Sequence, residues 1–126
     1  MHVGQLETYR NVQKATLSGR ALEAEVLSKA AYKLKYCQNN WDSAGQEELL
    51  DEALKYNQKI WTFFQAELAK SENPLPAKIK QDLLSLSAYV DKRIFEIMSF
   101  PSPEKLTAII NINLNIAAGL RGTEGL

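Results

Sequence analysis

Residues 106–120 read LTAIININLNIAAGL and contain no charged side chain. This stretch constrains the fold more than any other. It is too short for the ~18 to 20 apolar residues that a membrane-spanning helix needs. As a helix it carries a main apolar stripe of Leu106, Ile109, Ile110 and Ile116, with Ile112 and Leu114 lying to either side. A helix apolar over much of its circumference must be covered on several sides. Burying one leucine or isoleucine contributes about 1.5–3 kcal/mol, whereas an exposed row of them invites association. The segment is therefore expected either as the central helix of a bundle or as a helix with a flank that a partner completes.

The rest of the chain supplies helices to surround it. Apolar residues recur at spacings of three and four, prolines sit at segment boundaries, and no stretch shows the alternation of a strand. A short first segment is predicted over Leu6–Ala15, with Ser18 as a candidate cap for a helix over Gly19–Gln38. Leu22, Val26, Ala30, Leu34 and Cys37 are the expected inner face of that helix. Asn39 and Asn40 close it. Ser43, with Gln46 three residues on, fits a capping box for a third segment reaching Lys70. Its stripe is Leu50, Ala53, Leu54, Ile60, Trp61, Phe64 and Leu68, and its early acids, Glu47, Glu48, Asp51 and Glu52, suit a helix N-terminus. After SENPLPAK a fourth helix spans Ala77–Met98, with Ile79, Leu83, Leu86, Val90, Ile94 and Ile97 facing inward. Ser102, Pro103 and Glu104 start the last helix, and Gly119 is expected to end it. The expected fold is an all-α, single-domain bundle of four or five helices over residues 1–126.

Two amides interrupt the apolar faces. Asn57 lies three or four residues from Ala53, Leu54, Ile60 and Trp61, and Asn113 stands in the same relation to Ile109, Ile110, Ile116 and Ala117. Both therefore project with apolar neighbours. A buried amide without partners costs about 1–3 kcal/mol, so each must pair with something. One reading has them bond backbone or each other and fix helix register. The other has one or both bond the main chain of a docked peptide. No acid–base partner stands beside them for catalysis.

Other features exclude whole classes. Fifteen basic and fifteen acidic residues cancel, so nothing draws nucleic acid or anionic lipid in general. Charge is uneven, however: residues 1–40 carry six basic and three acidic side chains, and residues 41–72 carry three basic and seven acidic. Lys29, Tyr32, Lys33 and Tyr36 share one sector of the second segment, a small basic-aromatic surface of the kind that holds RNA, or simply a solvated helix face. Trp41, Trp61, Phe63, Phe64, Phe95 and Phe100 suggest a ligand cage less than they suggest core packing. The one histidine and one cysteine, His2 and Cys37, form no metal site and no internal disulfide. There is no phosphate loop and no nucleophile elbow. We expect no cofactor, no metal and no enzymatic activity. The opening residues MHVGQLETYR hold no apolar run, so the chain is expected in the cytoplasm and not in a membrane.

The ordered pieces YRNVQKAT, RALEAEVLSKAA, ALKYNQKIWTFF, NPLPAKI, LLSLSAYVDK and ININLNIAAGL run over nearly the whole length. In this set the chain resembles the FlaF family of alphaproteobacterial flagellar biosynthesis regulators. Similar sequences often end in IDINRNIAAGL, whereas here Asn111 replaces the acid and Leu114 the basic residue. The resemblance implies a non-enzymatic role, acting on flagellin to support its synthesis or secretion as a flagellin-binding chaperone. The alternative is a post-transcriptional regulator that binds flagellin mRNA, alone or with another flagellar regulatory protein. The expected partner surface centres on Asn57, Trp61, Ile109, Ile112, Asn113, Leu114 and Ile116.

Overall fold

A computed structural model describes residues 19–124 of the chain. The segment Leu6–Ala15 and the cap Ser18 lie outside them. Four α-helices make up this part: α1 (Gly19–Asn39), α2 (Gln46–Ala69), α3 (Ala77–Ser99) and α4 (Leu106–Glu124). A single 3-10 turn, Pro103–Lys105, leads into α4. There is no strand among the described residues. The bundle expected from periodicity is thus all-α.

The breakers act as their chemistry requires, with two exceptions. Pro103 starts the 3-10 turn after extended Ser102, and Pro76 sits just before α3. Asn73 closes the α2–α3 link by accepting the Leu75 amide at 3.0 Å and donating to the Glu67 carbonyl at 3.1 Å. The capping box at Ser43 does not form. Gly45, in the left-handed conformation at φ 77°, precedes α2, and Gln46 turns its side-chain amide to the Cys37 carbonyl at 3.2 Å instead. Nor does Gly119 end α4, which continues to Glu124. A helical glycine costs about 1 kcal/mol relative to alanine, and no proline follows to force a stop.

One hydrophobic core runs through all four helices. α4 packs mainly on α1, α1 also meets α2, and α3 packs chiefly on α2. The α1 face differs from the expected stripe: Leu22 is exposed and Val26 half-buried, while Ala24, Leu27, Ala30, Ala31, Leu34 and Cys37 are buried. Alanines signal periodicity weakly, yet they are what lets α4 approach the α1 backbone. On α3, Ile79 is exposed and the buried residues begin at Ser87. Side-chain bonds fix the ends. Gln38 donates to the Pro103 carbonyl and to Thr107, each at 2.9 Å, tying the end of α1 to the start of α4. Gln65 donates to Asp91 at 2.8 Å between α2 and α3. No described helix is long and apolar enough to cross a membrane.

Candidate functional site

The amide puzzle resolves into a hydrogen-bonded chain across three helices. Trp61 Nε1 donates to Asn113 Oδ1 at 2.9 Å, and Asn113 Nδ2 donates to Asn57 Oδ1 at 2.6 Å. Asn57 Nδ2 then donates to the Ala53 carbonyl at 2.9 Å and the Ala30 carbonyl at 3.1 Å. An indole N–H can only donate. The orientation of both amides follows from that one fact: Asn113 must turn its oxygen to Trp61, so its nitrogen meets the Asn57 oxygen, and the Asn57 nitrogen is left for the carbonyls. Asn57 and Asn113 are 0% exposed and Trp61 is 2% exposed. The network therefore joins α1, α2 and α4 inside the core, and every side-chain N and O in it has a partner.

This placement divides the residues proposed for partner contact. Asn57, Trp61, Ile109 and Asn113 are brought together in the interior, out of reach from solvent in this conformation. Ile112, Leu114 and Ile116 are half-buried against the core. Ile112 and Ile116 are one turn apart, but Leu114 is two residues from each and lies on the other border of the stripe. They do not form one patch. The last helix also leaves no large apolar side chain fully exposed among the described residues. Most of its apolar perimeter is covered by the bundle itself, chiefly by α1, and the half-buried residues mark its borders.

The exposed apolar surface lies elsewhere. Phe95 is 71% exposed and Phe100 is 73% exposed at the end of α3, with Met98 between them. Lys105 bonds the Phe100 carbonyl at 2.6 Å and stands over its ring at 5.7 Å. Beside this end lies an open cleft of about 740 Å³. Trp41, Leu50, Leu54, Ile97, Met98 and Pro101 give it an apolar lining, and Asp42, Glu47, Glu48 and Asp51 give it acid. Its walls come from the α1–α2 loop, the first turns of α2 and the end of α3, segments about fifty residues apart. No local pattern announces such a site, although the acidic run Glu47, Glu48, Asp51 and Glu52 is visible in the sequence.

The basic-aromatic surface of α1 is partly committed within the protein. Lys29 and Lys33 stand 5.8 and 5.0 Å from the Tyr56 ring centre, and Lys33 lies 3.9 Å from Glu52. Tyr32 and Tyr36 are exposed. The aromatic residues do not gather into a cage: Trp61 packs edge-on against Phe64 at 5.9 Å in or near the core, while Phe63, Phe95 and Phe100 face outward. Burial, and then Glu52, push the Cys37 thiol above its ordinary pKa despite the opposing Lys33, so it is not an activated nucleophile. No group of potential metal ligands occurs among the described residues.

No curated protein and no solved structure matches the chain. The family model described as flagellar protein FlaF matches residues 5–120, and with nearly the whole chain inside that match the protein belongs to the FlaF family.

Proposed function

We propose that the protein is a non-enzymatic flagellar regulator that binds flagellin and acts as its chaperone in the cytoplasm, supporting flagellin synthesis or secretion. Two things support this reading: membership of a flagellar family, and the exposed apolar end of α3 formed by Phe95, Met98 and Phe100. Aromatic side chains held out in water on a small domain gain most when another chain covers them. The proposed client surface is this end of α3, and the half-buried Ile112, Leu114 and Ile116 are the α4 residues proposed to touch the client at its edge. A chaperone must also release its client, so a modest apolar patch with a polar rim suits the task better than a large dry interface.

The test is co-purification of the protein with its cognate flagellin, with binding to flagellin mRNA measured in parallel. The wild type is expected to co-elute with flagellin, and Phe95→Asp with Phe100→Asp to abolish co-elution with no change in melting temperature. RNA binding without flagellin binding would replace this reading with the regulator of message.

A further inference from the structure

The cleft beside α3 has two chemistries in one place. Its floor is apolar, from Trp41, Leu54, Ile97 and Met98, and its rim holds Asp42, Glu47, Glu48 and Asp51. Among the described residues that line it, none is basic. Asp51 is partly answered by Lys55 at 2.9 Å, in a pair that is more than half exposed and so weak. A further observation concerns Gln46 on the cleft wall. It is only 8% exposed, its Nε2 is held by the Cys37 carbonyl, and its Oε1 is buried with no hydrogen-bond partner among the described residues. A buried acceptor left so calls for a donor.

We infer that this cleft is a docking groove for an amphipathic helix with a basic rim, whose apolar side chains enter between α2 and α3 and whose lysines or arginines meet the acids of the first turns of α2. Grooves of this size take the apolar face of a short helix, seated by anchors one turn apart. The carboxylates supply selection: a cationic flank is drawn in and an anionic one repelled. An ammonium or guanidinium group is also the donor that the Gln46 oxygen lacks, reachable by a small shift of that side chain. The inference deepens the chaperone reading by giving the chemistry of the segment bound, but the groove's preference for basic helices does not depend on flagellin being its source.

The probe is a set of three fluorescent helical peptides with the same leucine and phenylalanine anchors and flanks that are all lysine, all glutamine or all glutamate. Binding to the full-length protein is read by anisotropy. The lysine peptide is expected to bind more than about tenfold tighter than the glutamate peptide, with the difference shrinking as salt is raised. Glu47→Lys with Glu48→Lys should reverse the order of the peptides, and Met98→Asp should weaken all three. Both variants change exposed residues, and melting curves confirm that they fold; the milder Glu47→Gln with Glu48→Gln, expected to abolish the preference, stands in if the reversal unfolds the protein. Equal affinities for the three peptides, or no binding by any, would overturn the groove assignment. If the lysine peptide binds and flagellin does not, the groove stands and the chaperone reading falls. If the peptides reverse their order on the charge-reversed variant while flagellin binds it equally well, the groove stands and flagellin is not its occupant.

Discussion

Replacing Asn113 by alanine tests the internal network most sharply. The substitution removes the acceptor for Trp61 Nε1 and the donor to Asn57 Oδ1 at once, and both stranded atoms belong to residues at most 2% exposed. Each buried polar group left unpaired costs about 1–3 kcal/mol. Two of them give about 2–6 kcal/mol, before any cost of the cavity left by the carboxamide. A domain of this size has a stability of about 5–15 kcal/mol, so the variant should be close to unfolding or visibly weakened. Urea denaturation followed by circular dichroism measures the loss. Asn111→Ala is the control, because Asn111 is exposed two residues away on the same helix and its loss should stay within about 0.5 kcal/mol. Asn57→Ala breaks the same Asn113–Asn57 bond from the other side and strands Asn113 Nδ2, and in the double variant both ends of that bond are gone, so it should cost well under the sum of the two single changes. A loss below about 1 kcal/mol for Asn113→Ala, or strict additivity with Asn57→Ala, would refute the cooperative network.

Other consequences follow from single positions. Gly45 has a positive φ, and a Cβ built there meets nothing within 4 Å, so Gly45→Ala should cost about 1–2 kcal/mol in denaturant titrations, from backbone strain alone. Burial, and next the neighbouring Glu67, raise the Glu23 carboxyl above its usual pKa of 4.5 against the opposing pull of Arg20, so the folded state holds that proton more tightly than the unfolded chain. The associated stabilisation is present below the unfolded pKa and lost as pH rises through the folded value. Glu23→Gln should therefore melt above the wild type at pH 7, with the difference closing as pH falls below 4.5. Cys37 is buried with a raised pKa, so its labelling by a thiol reagent should track global unfolding across a urea series rather than proceed in the native protein.

The inward turn of Asn57 and Asn113 was legible in the sequence, because spacings of three and four place each among apolar neighbours. Their pairing was not, since two amides 56 positions apart meet only once α2 and α4 have both packed on α1. The role of Trp61 was half legible: its face was evident, but not that its N–H sets the direction of the chain of bonds. Proline and asparagine punctuation located the ends of α1, α2 and α3 to within a residue or two. On α1, Ala30, Leu34 and Cys37 are buried as their spacing indicated, but Leu22 is exposed and Val26 half-buried, and Leu27 with the small Ala24 and Ala31, which weigh little in a hydrophobic count, completes the inner face. The last helix was expected either at the centre of a bundle or with a flank left for a partner; it packs mainly on α1 and keeps Ile112, Leu114 and Ile116 half-buried at its borders. The exposed apolar end of α3 was hidden for the opposite reason: Phe95 and Phe100 lie off the inner stripe, where a sequence gives no measure of exposure.

Hydrogen exchange of the protein with and without its cognate flagellin tests the central claim most directly. Slowed exchange is expected in two stretches, residues 41–51 and 95–101, with little change around Asn113, whose amide is already shielded in the core. No change anywhere on adding flagellin, or slowing confined to α4, would contradict the account.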